Sequence, residues 1–432
     1  MPILHDRVRL ILVVFLLMSG VAGVIYALSL GPTLRFLPDE SDYLTLARNL
    51  LAGAGYSLDG HTPSAFRAPG VVGLYLLSAA TPAPIIVARC LNYACLNACA
   101  AVIFALLRRM CGSIPALVGA VGCVLYPLAF FTAGTLYPQT FGALLTLVSL
   151  ALWFWSRPAL VSTPTLAKSA VVAPVVAPVV APVVAPVVAA GLAAGLATLT
   201  IPTLLPSLAA VFVTDALVSQ QGPQNRLRRL GLACLSMLCA LLVLVPWTLR
   251  NRLQLGVWVP VSTNGGFNLL LGNSENTTPN AGTNVDISRY MAQVASADEV
   301  AQDRALAGFA MAWMRAHPLD AARLYAKKAL NFFNYRNDLT TQSESSPARD
   351  LISACTYYPL LIIAIIGIVL SRRLGYTPLE TGLWVAYLSG ALVTAIFFTR
   401  LRFRVPYDVL LIVLASMTLG RLVNRRQAPR HA

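Results

Sequence analysis

Charge is what this chain has least of: only 11% of its 432 residues are Asp, Glu, Lys or Arg, with 17 acids and four histidines in all. Outside about residues 249–350 there is no polar stretch long enough for a soluble domain, which excludes an ordinary globular enzyme for most of the chain. Cysteine is present but unpatterned. Cys90, Cys95, Cys99, Cys111, Cys123, Cys234, Cys239 and Cys355 lie within or beside apolar runs, with no CxxC and no histidine at ligand spacing. Neither a disulfide framework nor a zinc site is expected, and the thiols read as small buried hydrophobes. The first apolar run, Leu10 to Leu34, lacks a clear small-residue cleavage site and is too long for a signal-peptide core, so it reads as an uncleaved first span.

What is abundant is apolar surface: 57% hydrophobic residues and a mean hydropathy of +0.70. A bilayer core needs about 20 consecutive apolar residues per helical span. Ten such segments are expected near 10–30, 84–107, 114–132, 135–155, 187–200, 202–219, 230–248, 351–370, 379–399 and 405–422. The fold class is thus an all-α polytopic membrane protein of about ten transmembrane helices. The net charge of +15 invites a nucleic-acid partner, but position argues against one. Arg7, Arg9, Arg108, Arg109, Arg157, Arg226, Arg228, Arg229, Arg372, Arg373, Arg425 and Arg426 fall at alternate ends of the apolar runs, as expected when cations are retained in the cytosol. That alternation predicts a cell inner-membrane protein with both termini cytoplasmic.

The chain divides into an N-terminal membrane part, 1–248, an outward-facing segment, 249–350, and the C-terminal helices, 351–432. Within the first part, a loop over 31–83 is expected to carry an amphipathic helix from Asp42 to Leu51 and a shallow or re-entrant piece over 71–82. The outer segment is Gly/Asn-rich at first and helical in pattern from Ile287 to Phe333, and at about 100 residues it is expected to lean on the membrane helices. Residues 171–186 are four tandem Val-Val-Ala-Pro units; a proline at every fourth residue argues against a regular helix there and for a place at the cytoplasmic side or interface.

Two charged clusters fall at the predicted outer face. One is Asp39-Glu40-Ser41-Asp42 with Arg48 and Arg67; the other is Arg402-Phe403-Arg404 with Asp408 one turn on. A carboxylate can take the proton of an attacking hydroxyl, and arginines can hold phosphate oxygens. The bland alternative is an acidic loop salt-bridged to a basic one, with Arg404–Asp408 a structural i,i+4 pair. Near the interfaces, Tyr43, Tyr56, Trp247 and Trp258 suit anchoring to membrane lipids better than sugar stacking.

The stretch Asp39-Glu40-Ser41-Asp42-Tyr43-Leu44-Thr45-Leu46-Ala47-Arg48-Asn49-Leu50, with Gly53-Ala54-Gly55-Tyr56-Ser57 beyond it, resembles the first outer loop of bacterial GT-C glycosyltransferases. The match is to the family 39, protein O-mannosyltransferase-like group related to the lipid A aminoarabinose transferase. Phe66-Arg67-Ala68-Pro69-Gly70, Pro246-Trp247-Thr248-Leu249-Arg250-Asn251 running into Val259 to Leu269, and Arg402-Phe403-Arg404-Val405-Pro406 agree in order. The resemblance implies a polyprenyl-phosphate-sugar donor, a lipid, polysaccharide or protein acceptor outside the cytoplasm, and transfer with inversion. It puts Asp39 at the catalytic-base position with Glu40 as its paired carboxylate. Arg67, Arg48 and, more loosely, Arg402 and Arg404 then stand at phosphate-binding positions. Asn264, Gly265, Gly266 and Asn268, with His61, are candidates for a donor or acceptor groove; a turn that needs glycine explains the Asn/Gly run equally well. No cofactor is certain. A divalent metal on Asp39, Glu40 and His61 is the one option, set against a solvated loop histidine. Two positions depart from the family: Ile201 where an arginine is frequent, and Gln139 where an acid is. The alternatives to a transferase are a flippase of a lipid-linked sugar or an inactive relative. The topology is checked by fusions: a fluorescent protein after residue 432 should fold and fluoresce in the cytosol, and a phosphatase inserted near residue 60 should be active outside it. The reverse pattern would overturn the assignment of faces.

Overall fold

The computed structural model describes residues 2–35, 39–157, 177–218, 223–337, 346–371 and 376–427. In chain order the helices are α1 (Pro2–Ser29), α2 (Asp39–Leu51), α3 (Pro69–Ala79), α4 (Pro84–Cys111), α5 (Ser113–Leu125), α6 (Pro127–Ala133), α7 (Gln139–Trp155), α8 (Ala177–Thr200), α9 (Leu204–Leu217) and α10 (Pro223–Leu255). There follow α11 (Gly265–Gly272), α12 (Ser288–Val294), α13 (Glu299–Ala316), α14 (Pro318–Asn331), α15 (Pro347–Val369) and α16 (Pro378–Ile396), then a 3-10 turn, Leu401–Arg404, and α17 (Val405–Gln427). Among the described residues no strand forms; Ser57 and Pro63 make one isolated bridge.

Every apolar segment expected from the sequence is helical. Among the described residues seven helices are long and apolar enough to cross a bilayer, and α5 with α6, bent by 54° at Tyr126, makes an eighth if counted as one span. The segments near 135–155 and 202–219 form the shorter α7 and α9. The outer surface of the bundle is hydrocarbon: on α1, Leu10 is 64% exposed and Met18 67%. Such a surface is stable only against lipid. The chain is a multi-pass membrane protein. Of its cysteines, Cys95, Cys99, Cys123 and Cys239 are buried as expected, but Cys234 and Cys355 are exposed on the bundle surface and Cys90 and Cys111 are half-buried.

The proline repeat requires a correction. Residues 171–176 lie outside the described residues, but the remainder of the repeat is helical from Ala177. The spacing explains how. A proline inside a helix forgoes one bond to the carbonyl four residues back, and a proline at every fourth residue aligns those losses. The lost bonds therefore fall on a single file, and the other files continue.

Two opposite ends of the bundle are tied by different chemistry. At one end Asp215 of α9 pairs with Arg157 and Arg229 and accepts from the Trp153 indole, while Glu380 of α16 holds both guanidinium nitrogens of Arg421. At the other end lie α2, α3 and the 3-10 turn. Acids in the first turn of α2 complement its dipole, so it starts at Asp39, earlier than its apolar pattern alone suggested. Its Tyr43, Leu44, Leu46 and Ala47 pack on Val71, Val72 and Tyr75 of α3. With 11 residues, about 16 Å, α3 is too short to cross. Gly70 at its start lies directly on the end of α8, where a Cβ would stand 2.7 Å from the Thr200 nitrogen and 2.8 Å from the Leu199 carbonyl carbon. Gly70→Val should therefore force α3 off α8 and lower stability by at least about 3 kcal/mol, read as an earlier thermal transition in detergent. An unchanged transition would mean that this contact does not fix α3.

Candidate active site

The first turn of α2 divides its two leading acids. Adjacent helical residues point about 100° apart, so Asp39 and Glu40 face different surroundings. Glu40 is fully buried, and its two oxygens accept the Arg35 N–H at 2.6 Å and the Leu136 N–H at 2.7 Å. It staples the chain leaving α1 to the turn before α7. The fully buried Arg89 of α4 adds to that staple, donating to the carbonyls of Gly31 at 2.6 Å and Thr33 at 2.7 Å. Glu40 and Asp39, adjacent in sequence, therefore meet different partners.

Asp39 faces the other way and is clamped. Oδ1 accepts from Arg67 Nη2 at 2.7 Å and Oδ2 from Arg402 Nη2 at 3.0 Å. Asp42, one turn along the same face, takes Arg67 through Nε at 3.0 Å and Nη2 at 2.7 Å. Arg67 also lies over the rings of Phe66 and Tyr43, its Cζ 4.9 and 5.5 Å from their centroids. Arg402 stacks 4.0 Å above Tyr137 and donates to that phenol. Two carboxylates thus meet two guanidiniums, and Asp39 is 23% exposed, so the cluster is reachable. Burial raises Asp42 above the usual carboxylate range against the pull of Arg67, and pushes the Tyr43 phenol up to about 12. Burial also opposes the Arg67 charge, but Tyr43, Asp39 and Asp42 outweigh it and hold the guanidinium above its ordinary value.

Other residues singled out in the sequence lie elsewhere. Arg404 is 1% exposed and turns inward. Its Nε meets Asp408 at 2.9 Å, its Nη1 the carbonyls of Phe332 and Asn334, and its Cζ sits 3.5 Å over Tyr357. Asp408 in turn accepts from Tyr126 at the α5–α6 bend. Arg404 and Asp408 thus form a buried i,i+4 ion pair away from the Asp39 cluster. Arg48 is exposed on α2, nine residues and about half a turn round from Asp39. His61 is exposed, and its backbone N–H donates to Asp59, whose carboxylate is held low by the Thr62 and His61 amides. Among the described residues no three His, Cys, Asp or Glu side chains are placed to hold a metal. Glu40 is spent on amides and Asp39 on guanidiniums, so a metal on Asp39, Glu40 and His61 does not fit.

The Asn264 segment borders the site without entering the clamp. Thr263 N–H donates to the Ala65 carbonyl at 3.0 Å, and Glu299 of α13 accepts from Ser64, the Ala65 N–H and Thr263. Asn264 precedes α11 and accepts from Ser262, Gly265 opens the helix, the Asn268 N–H closes on the Asn264 carbonyl, and the Gly266 N–H donates to Asp303 at 2.6 Å. This is a helix start packed on α13. The two departures from the family are neighbours: Ile201 packs against Gly142, one turn along α7 from Gln139, whose Oε1 is buried without a hydrogen bond. The sequence reading undervalued Asp42, Tyr43 and Tyr137. Spacing of three from Asp39 was a signal for Asp42; Tyr137 had only its place two residues before Gln139.

No protein-family model and no curated protein matches the sequence. Solved structures do. The oligosaccharyltransferase of Archaeoglobus fulgidus in its apo form matches with a TM-score of 0.52 at 13% identity, over 95% of this chain and 51% of that one. The same enzyme tethered to an acceptor peptide with the NVT sequon matches with a TM-score of 0.52 at 12% identity, over 95% and 50%. ArnT from Cupriavidus metallidurans bound to undecaprenyl phosphate matches with a TM-score of 0.47 at 16% identity, over 95% and 78%. The chain spans about half the length of the archaeal enzyme. Over 95% of its length the chain shares the fold of that archaeal oligosaccharyltransferase.

Proposed function

We propose that this chain is an inner-membrane glycosyltransferase that moves a sugar from a polyprenyl-phosphate donor to a cell-envelope lipid, polysaccharide or protein at the outer face. One observation carries the reading. Asp39 and Arg67 of the first loop and Arg402, 363 residues after Asp39, converge on one half-buried spot at the end of the bundle opposite Asp215. The fold shared with the archaeal oligosaccharyltransferase supports it.

Asp39 is paired with both arginines. A donor phosphate brings oxygens that compete for Arg67 and Arg402, which prefer bidentate anions. Once they turn to the phosphate, the carboxylate has a lone pair free for the acceptor. The acceptor oxygen then attacks the anomeric carbon while its proton passes to Asp39. The bond from that carbon to the phosphate oxygen breaks, its electron pair staying on the phosphate beside the two guanidiniums. Attack from the face opposite the phosphate inverts the carbon. Donor binding thus uncovers the base, and an acceptor arriving alone meets a neutralised carboxylate. Glu40 and Asp42 are braces in this scheme, and Tyr137 steers Arg402.

Asp39→Asn should lower transfer at least about 100-fold with normal membrane insertion, seen as loss of the sugar-bearing species in mass spectra of envelope glycolipids and glycoproteins. Near wild-type transfer would remove Asp39 as the base. Glu40→Gln, by contrast, should act on stability, by about 1–3 kcal/mol, because an amide nitrogen must then face a backbone N–H. If instead it abolishes turnover in well-folded protein, Glu40 belongs to the chemistry.

A further inference from the structure

The chain after α13 grips the loop that carries Arg402 at nearly every second residue. The Phe397 carbonyl accepts from Lys328 Nζ at 2.8 Å, Thr399 Oγ1 from Asn331 Nδ2 at 2.8 Å, and the Leu401 N–H donates to Asn337 Oδ1 at 3.0 Å. Arg404 Nη1 closes the series on the Phe332 and Asn334 carbonyls. Residues 328–337 thus form a cradle along residues 397–404. Its first member is unusual. Lys328 is fully buried, and its ammonium donates to the Gly272 carbonyl at 2.8 Å and Asn273 Oδ1 at 3.1 Å as well as to Phe397. Among the described residues no carboxylate pairs with it. Asn273 continues the tie, donating to the Ile396 and Leu269 carbonyls. The backbones meet closely: a Cβ on Gly272 would overlap the Phe397 carbonyl.

An unpaired buried ammonium is costly, and a leucine or methionine would fill the same volume. What the ammonium supplies is three donors at one point, joining α11, α14 and the outer end of α16. We propose that Lys328 is a positioning residue: its ammonium fixes the 397–404 loop so that Arg402 is presented to Asp39 and to the donor phosphate. This rests on the glycosyltransferase reading for what Arg402 binds, but the loop geometry is independent of it.

The charge state is open to titration. Burial pushes the Lys328 ammonium down to about 8, with desolvation its sole cause. The groups facing it from α11 and from the end of α16 are carbonyls and one amide. On its own helix the cations Arg323 and Lys327 are exposed, and Asp303 of α13 is held by the Gly266 N–H. Above that pH the neutral amine has two protons for three oxygens, and one tie must go.

The test uses the full chain in lipid nanodiscs with undecaprenyl phosphate as probe, and hydrogen exchange of the 397–404 amides as a second readout. Lys328→Met should weaken probe binding about tenfold and speed exchange across the loop. Arg402→Gln should weaken binding comparably, and the double variant should be no worse than Arg402→Gln alone. Wild-type binding should fall as pH rises through about 8, while Lys328→Arg, which keeps its charge, should not show that fall. Thr399→Val removes the second tie without touching the buried charge, and should loosen the loop and weaken binding roughly threefold even if Lys328→Met does not fold. Additive losses in the double variant, or an unaltered loop in Lys328→Met or in Thr399→Val, would overturn the positioning role. If wild type takes up no undecaprenyl phosphate while loop exchange responds as described, the donor assignment fails and the loop role stands.

Discussion

The arrangement turns on one carboxylate shared by two guanidiniums. Asp39 stands at the start of a surface helix, Arg67 on the far side of the same loop, and Arg402 more than three hundred residues later. None of these groups is stable alone at the edge of an apolar bundle, where an uncompensated charge is expensive. Together, with Asp42, they form a balanced cluster that holds its shape empty and can exchange partners. Much of the polar chemistry at that end serves this convergence. Glu40 and Arg89 fix the entry of α2, Glu299 joins the Ser64–Ala65 strand of chain to Thr263, and the cradle along 397–404 sets the third member.

Much of this was legible in the sequence, and for identifiable reasons. Long runs of apolar residues dictate helices because the bilayer tolerates little else. The pairing of an acidic loop with distant arginines followed from placing both on one face, and the motif resemblance singled out Asp39, Glu40, Arg48, Arg67, Arg402 and Arg404, of which Asp39, Arg67 and Arg402 meet. What failed did so where side-chain direction decides. Asp39 and Glu40 differ by one residue, yet one meets guanidiniums and the other backbone amides. Arg402 and Arg404 straddle a 3-10 turn, and only the first points out. No residue type encodes that distinction; it depends on which neighbouring backbone groups are left for capture. Lys328 was invisible because a lysine on an amphipathic helix ordinarily faces water.

The two departures from the family are easier to read in space than in sequence. Ile201, just after α8, packs against Gly142 of α7, three residues along from Gln139. The clamp at Asp39 is built without them.

Finally, the proline-containing start of α8 lies a whole helix length from the Gly70–Thr200 junction, and the buried packing positions of α8 begin at Val187. One repeat unit spans four residues, about 6 Å of rise and little more than a full rotation. Gain or loss of units would therefore lengthen or shorten a post at its foot while leaving the face it shows its neighbours nearly unrotated. Such a change would leave the end of the bundle that carries Asp39, Arg67 and Arg402 where it is.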